Sequence, residues 1–427
     1  MNLSRTKFNR CFEATRVFKR FYSIQGLAEP TKFVKFKSVS RLRASSNSGY
    51  ITSPNSKLQS LIWDNPLRNV FITKKPWTQT TTEAMVKFIT HLHDSYPEIN
   101  VIVQPEVAEE IAGDFTSMPI QNPNQPHVLF TGTQEEIVSK ADLLVTLGGD
   151  GTILHAVSMF NNKQVPPVLA FSLGTLGFLL PFDFQEHVHV FEEVLSSRAK
   201  CLHRTRLECH VVKKGETEDC SNLATVHAMN DIFLHRGNAP HLLYLDVFID
   251  GKYLTRTTAD GVALATPTGS TAYSLSAGGS IVSPLVPCIL LTPICPRSLS
   301  FRPLILPHSS HITIKIGSKN SHELKDYSVN LSVDGVPNQC LSSGDEIHVV
   351  NEVGTIYING SELPSSSNIS EVIKKKRLIK NSGIYCIAKT EHDWAQGINE
   401  LLGFNSSFLF SHLKNKDNVQ PNGDEEV

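Results

Sequence analysis

Leu143-Leu144-Val145-Thr146-Leu147-Gly148-Gly149-Asp150-Gly151-Thr152 is the stretch on which the reading of this chain turns. Five apolar or β-branched residues run into two glycines and an aspartate, and a helical pattern follows over Gly151–Phe160. That is a buried strand ending in a glycine turn that opens a helix. Working outward, Asn69–Thr73, Asn100–Val103 and Val168–Ser172 read as further buried strands, and Thr81–Leu92 as a helix. Continuous apolar strands separated by helices predict a parallel sheet covered on both faces. Ligands of such sheets sit beyond the carboxyl ends of the strands, where Gly148–Thr152 falls.

From about Leu207 the pattern changes to strands joined by tight turns. Leu243–Ile249 and Tyr253–Thr255 flank Asp250-Gly251, a hairpin signal. His311–Ile316 alternates, and Asp334-Gly335 and Ser343-Gly344-Asp345 read as turns. The second half, Leu207 to about Gly360, is therefore expected to be mostly antiparallel β. Ser45–Ser56 reads as a Ser-rich linker, and 366–384 as a polar linker or loop. Glu391–Leu402 reads as an amphipathic helix with Trp394, Ile398, Leu401 and Leu402 on one side.

Composition bounds the function. The chain has 427 residues, 40% hydrophobic and 19% charged, with a net charge of -1, so the overall balance gives no sign of nucleic-acid binding. Its eight cysteines show neither zinc spacing nor a disulfide framework and read as reduced thiols. No apolar run reaches the ~18 residues of a membrane span. Residues 1–43 carry eleven lysines and arginines against Glu13 and Glu29. This arginine-rich start has the make-up of a mitochondrial transit peptide, with cleavage expected near Ser23 after Arg20-Phe21-Tyr22. A basic arm is the plainer alternative.

The chemistry lies in four places. In the first, Gly149 and Gly151 let the backbone approach a phosphate, Thr152 and the helix start add donors, and Asp150 offers one base. A helix-capping role for Asp150 is the alternative. His155, a little over one helical turn on, can face phosphates or solvent. Gly174-Thr175-Leu176-Gly177-Phe178 is a second glycine loop, whose Phe178 can stack on a ring or pack in the core. Asn230-Asp231, inside the apolar run Val226–Leu234, is costly to bury unless satisfied. Its amide suits an adenine edge and its carboxylate suits ribose hydroxyls, with a polar bulge or turn at a domain junction as the alternative. Finally, Thr266–Gly279 is long and uncharged, and offers Thr268, Ser270, Thr271, Tyr273 and Ser276 as hydrogen-bonding groups. A surface loop is its alternative. A phosphate loop, a base and a donor-rich run are the minimum equipment for moving a phosphoryl group onto an alcohol.

Gly-Gly-Asp-Gly-Thr, the Asn-Asp pair and Thr266-Pro267-Thr268-Gly269-Ser270-Thr271-Ala272-Tyr273, in this order, resemble the NAD kinase family over about Asn69–Gly360. Pro293–Pro303 looks like its eukaryotic branch. The basic start and the tail through Trp394 and Gly403-Phe404-Asn405 look like the mitochondrial NADH-phosphorylating members of yeasts. The resemblance implies an α/β domain with a parallel sheet followed by a mostly antiparallel β-sandwich-like domain, assembled as a dimer or larger. It implies ATP as phosphoryl donor with Mg²⁺, and Asp150 as the base that takes the proton from the adenosine 2′-hydroxyl of NADH or NAD. It further implies that Gly149 and Gly151 shape the phosphate loop, and that Phe178, Asn230, Asp231, Asp260, Thr271, Ala272, Tyr273 and Ser276 contact the dinucleotide. Bacterial members often carry glutamate where Asp231 stands, so the ribose contact is expected to be shifted or water-bridged here. No protein ligand for the metal is identified.

The expected layout is a transit peptide and basic arm (1–45), an α/β domain (62–200) and a β-rich dinucleotide domain (207–360). A linker with a C-terminal helix packing back (361–413) and a disordered tail (414–427) follow. The matrix is the expected location. A lipid or sphingoid kinase sharing Gly148–Thr152 is a rival, as is a dinucleotide sensor without catalysis. The first leaves Asn230-Asp231 and Thr266–Ser276 unexplained, and the second leaves Asp150 without a purpose.

Overall fold

The computed structural model describes residues 34–46, 48–113, 115, 127–161, 163–174, 177–214, 225–317, 328–352, 357–358, 361–362 and 382–403. The expected transit segment up to residue 33 and the tail 414–427 lie outside these residues, as does most of the 366–384 linker.

The first part of the chain forms β1 (Val34–Ser38), β2 (Ser48–Thr52), β3 (Gln59–Trp63), β4 (Asn69–Lys74), helix α1 (Gln79–Ser95) and β5 (Asn100–Ile102). There follow α2 (Pro105–Ile111), β6 (His127–Thr131), α3 (Gln134–Val138), β7 (Leu143–Leu147), α4 (Asp150–Ser158) and β8 (Val168–Ser172). Then come β9 (Phe182–Asp183), α5 (His187–Leu195) and β10 (Lys200–Arg204). These strands share one eleven-stranded sheet with β25 (Ile384–Ala388), in the order β1-β6-β5-β4-β7-β8-β25-β10-β3-β2, with β9 beside β8. From β1 through β25 the neighbours run parallel, and beyond it they run antiparallel. Residues of β4 and β7 alternate between two buried clusters. Val70, Ile72, Val145 and Leu147 join Phe88 of α1, whereas Phe71 and Leu144 join Ile153 and Ala156 of α4. Both faces are covered, which is why these strands read as unbroken apolar runs.

Two corrections to the sequence reading arise here. The Ser-rich stretch taken as a linker contains β2, which pairs with β3. The sheet also takes chain from both sides of 62–200, namely β1 and β2 before it and β25 after it.

The second part supplies two six-stranded sheets. One has the order β12 (Thr225–Ala228), β11 (Leu207–Val212), β22 (Glu346–Asn351), β19 (Ile312–Ile316), β14 (Leu243–Ile249), β15 (Lys252–Ala259). The other has β18 (Leu304–Pro307), β17 (Cys288–Ile294), β16 (Gly261–Ala265), β13 (Asp231–His235), β20 (Ser328–Val333), β21 (Val336–Ser342). Every pairing in both is antiparallel. Their facing residues, among them Cys209, Leu245, Ile314 and Val349 against Leu234, Leu264, Leu291 and Leu331, form one core, so the architecture is a β-sandwich. A small hairpin, β23 (Tyr357–Ile358) with β24 (Ser361–Glu362), follows. The Asp250-Gly251 turn joins β14 to β15 as expected, with both residues at positive φ.

Arg206 fastens the sandwich to the first layer. It is buried, pairs with Glu352 through Nε–Oε2 (3.2 Å) and Nη2–Oε1 (2.5 Å), and donates to the carbonyls of Phe160 and Lys163 just beyond α4. Glu352 also accepts from the Gly383 amide at 2.7 Å, which leads the chain back into β25. Helix α6 (Asp393–Leu402) then packs with Ile398 buried, whereas Leu402, read as inward-facing, is exposed.

Candidate active site

Three segments meet at the site: the glycine turn after β7, the glycine loop after β8, and the Thr266–Ser276 run, which Arg204 of β10 bridges to that loop. Gly148 and Gly149 turn the chain into α4, whose first residue is Asp150. The Asp150 carboxylate does not cap its own helix. It reaches across to the second glycine loop, where Oδ2 accepts from the Phe178 amide and Oδ1 from the Leu179 amide, both at 3.1 Å. Gly177 is demanded by this contact, since a Cβ there would come 2.4 Å from Asp150 Oδ1. At Gly149 and Gly151 a Cβ would meet nothing within 4 Å, so the protein's own packing does not require glycine at either place.

Burial pushes the Asp150 carboxyl up, and the Leu179 and Phe178 amides and the nearby Arg204 guanidinium pull it back down. The net displacement is upward, the direction useful for a general base. Arg204, at the end of β10, was not singled out in the sequence. It is buried, and donates to Thr268 Oγ1 at 3.1 Å and to the Phe178 carbonyl at 3.5 Å. It thus joins the Asp150 loop to the hydroxyl-rich run. A buried arginine with no carboxylate neighbour in sequence is invisible without the fold.

Asn230-Asp231 does not continue one strand through the apolar run; it lies at a turn between two strands, the alternative raised for it. The chain leaves one sheet of the sandwich at β12 and enters the other at β13, and Met229 and Asn230 form the crossing. The half-buried Asp334 carboxylate satisfies that crossing, accepting from the amides of Met229 (2.9 Å), Asn230 (2.7 Å) and Asp231 (3.1 Å). Asp334-Gly335 is a turn, as read, but the turn also carries this support. The Asp231 carboxyl, buried and close to the Asp334 charge, is pushed up to about 7.

The run Thr266–Ser276 is only partly a set of outward donors. Thr266 Oγ1 donates to the Met229 carbonyl (2.6 Å), Ser270 Oγ to that of Val282 (3.1 Å), and Ser274 Oγ meets Thr292 Oγ1 (2.9 Å). All three are fully buried, so Ser270, read as a ligand donor, belongs to the scaffold. Gly269 packs so tightly on the crossing that a Cβ would stand 2.0 Å from the Asn230 carbonyl oxygen. Thr271 and Ala272 are half-buried, whereas Tyr273 and Ser276 are exposed. The Tyr273 ring lies 4.6 Å from that of Phe233. Burial raises its hydroxyl pKa first, with smaller contributions from Cys295, Asp231 and Asp260, which puts these carboxylates in its neighbourhood. Asp260 accepts from Arg236 Nε at 2.6 Å.

Hydrogen bonds therefore join Asp150, Phe178, Arg204, Thr268 and Thr271 in one chain, and Gly269, whose carbonyl accepts from the Ala272 amide at 3.0 Å, packs on Asn230. Thr152 is buried beneath the loop. His155 is exposed and about 140° around α4 from Asp150, at ~100° per residue, so it turns away from that carboxylate. Phe178 is half-buried and does not disappear into the core. Among the described residues, no group of three or more His, Cys, Asp or Glu side chains is arranged to hold a metal.

A carboxylate held by the backbone of a second glycine loop, and linked through Arg204 to a hydroxyl-rich run packed on the Asn-Asp crossing of a β-sandwich, is the arrangement to be compared with known proteins. Two family models match: the ATP-NAD kinase N-terminal domain over residues 68–199 and the ATP-NAD kinase C-terminal domain over 229–357. The chain belongs to this family and is an NAD(H) kinase, a phosphotransferase with an alcohol group as acceptor. It is 69% identical to the mitochondrial NADH kinase of Saccharomyces cerevisiae over 395 residues, 91% of this chain and 94% of that one. Identity to the mitochondrial NADH kinase of Schizosaccharomyces pombe is 36%, over 83% of this chain and 79% of that one. The crystal structure of yeast NADH kinase complexed with NADH superposes with a TM-score of 0.80 at 68% identity, covering 90% of this chain and 99% of that one. The lipid-kinase reading is thereby set aside.

Proposed function

We propose that the protein transfers the γ-phosphoryl group of ATP to the 2′-hydroxyl of the adenosine ribose of NADH, and of NAD more slowly. The observation that carries this reading is the Asp150 carboxylate, fixed by two backbone amides at the junction of the glycine loops. In the reaction, the 2′-oxygen bonds to the γ-phosphorus as the bond from phosphorus to the ADP oxygen breaks, and the hydroxyl proton passes to Asp150. A loose transition state makes that transfer late, so a weak base suffices. Asn230 would read the adenine edge and Asp231 a ribose hydroxyl. Phe178, Asp260, Thr271, Ala272, Tyr273 and Ser276 would line the dinucleotide, and Gly149 and Gly151 would admit the phosphates. Mg²⁺ would arrive with ATP, held by phosphate oxygens and water. The basic start of the chain and the mitochondrial relatives support import into the matrix. A homo-oligomer is the expected assembly.

The test is initial-rate kinetics with ATP and Mg²⁺, comparing NADH with NAD and wild type with Asp150→Asn. Removing a general base costs ~10²- to 10⁴-fold in kcat while dinucleotide binding persists. A kcat within a few-fold of wild type would refute the role of Asp150. A ratio of kcat/KM for NADH over NAD below one would leave a general NAD kinase.

A further inference from the structure

The turn after β4 carries two features that do nothing for the fold. Lys74, the last residue of β4, is buried and paired with Glu110 at 2.6 Å. Lys75, next in sequence, is exposed, and its ammonium makes no ion pair or hydrogen bond among the described residues. Trp77 is 93% exposed and sits at φ 52°, a left-handed backbone that a bulky side chain rarely adopts. Leaving an indole in water and straining its backbone both cost stability, and such strain collects at functional sites.

The turn is nevertheless firmly held. The Lys75 amide donates to the Leu147 carbonyl (2.9 Å), Thr81 Oγ1 to the Lys75 carbonyl (2.9 Å), and Thr78 Oγ1 to the Pro76 carbonyl (3.1 Å). Its place is decisive. β4 runs parallel to β7 with Lys74 opposite Leu147, so Lys75 stands beside the phosphate loop. Lys75 Cβ is 3.0 Å from the point that a Cβ on Gly148 would occupy. On the other flank of β7 lie β8 and β10, with the Phe178 loop, Arg204 and, through Thr268, the dinucleotide run.

In-line phosphoryl transfer places the attacking and leaving oxygens on opposite sides of phosphorus. With the acceptor on the β8 and β10 flank, the leaving group departs toward β4. We infer that Lys75 and Trp77 form the subsite for the phosphoryl donor, a nucleoside triphosphate whose phosphates lie by the Lys75 ammonium and whose base stacks on the Trp77 indole. The inference rests on the reading of Asp150 as the base between the two substrates. A stacking platform accepts any base, so the donor site is expected to tolerate GTP and CTP as well as ATP.

The experiment uses the full chain with Lys75→Ala, Trp77→Ala, Trp77→Phe and Asp150→Asn. Lys75→Ala and Trp77→Ala should raise KM for ATP about 5- to 100-fold, the range that loss of one base-stacking contact covers. KM for NADH should stay within about two-fold of wild type, and Trp77→Phe should recover most of the loss, because a phenyl ring still stacks. Titrating Asp150→Asn with the β,γ-imido analogue of ATP and Mg²⁺ should quench tryptophan emission, and adding Trp77→Phe should abolish the response. An unchanged KM for ATP in both alanine variants, or equal rises in both KM values, overturns the subsite. Should Asp150→Asn keep its turnover, the reading of the base fails instead, and the Trp77 quench still decides the donor subsite.

Discussion

Gly177→Ala tests how the base is held, because it leaves Asp150 chemically intact. A Cβ at residue 177 would stand 2.4 Å from Asp150 Oδ1 and 2.9 Å from Leu180 Cδ1, where ordinary contact begins at 3.4 Å. The carboxylate must then withdraw by about 1 Å, because the loop backbone on the other side is tied to it by the Phe178 and Leu179 amides. A misplacement of ~1 Å costs on the order of 10²-fold in rate. Lengthening hydrogen bonds to a charged acceptor costs ~1.5–3 kcal/mol each, so a fall in melting temperature on the order of 5 °C is expected as well. The assay is initial-rate kinetics with saturating ATP and Mg²⁺ and varied NADH, with thermal melting as the control for folding. The expected result is a kcat about 100-fold down with a folded protein. A kcat within about three-fold of wild type would show that the grip of the Phe178 loop on Asp150 is irrelevant to turnover, and would refute the reasoning.

Two further outcomes follow from the electrostatics. Arg204 lowers the Asp150 pKa, so Arg204→Met should move the acid limb of the kcat/KM profile to higher pH and raise KM for NADH, with Arg204→Lys restoring part of both; an unmoved limb would sever Arg204 from the base. The Asp231 carboxyl, at about 7 when folded, lies above its ordinary value of 3.8, so the folded state holds an extra proton between these values. Its contribution to stability is complete below about 4 and is lost as pH rises through about 7. Melting temperature should accordingly decline over that window, and Asp231→Asn should flatten the decline. Identical slopes in the two proteins would count against the burial of an ionisable Asp231.

Much of this protein was legible in local patterns. Leu143–Leu147 announced a strand covered on both faces, since a parallel strand between helices has no polar side. Asp250-Gly251 announced its hairpin, because positive φ at both turn residues restricts the choice of amino acids. The two glycine loops and Asp150 were legible for the same reason: close backbone approach leaves few residues possible. The hydroxyls of Thr266–Ser276 were visible as a group, but their allocation was not. Only burial shows that Ser270 serves Val282 and that Tyr273 remains exposed.

What the tertiary structure alone decided depends on partners distant in sequence. Ile384–Ala388 enters the first sheet between β8 and β10 by pairing with strands about 200 residues upstream, a register that no local periodicity encodes. Asp334 supports Asn230 across a separation of 104 residues, so a residue read as a turn former became the anchor of the crossing. Arg204, 64 residues from Thr268, joins the Phe178 loop that holds Asp150 to the hydroxyl-rich run. Sequence composition can require that a buried charge or amide be satisfied, because leaving it unpaired costs several kcal/mol. Which group satisfies it is settled only when the sheets close.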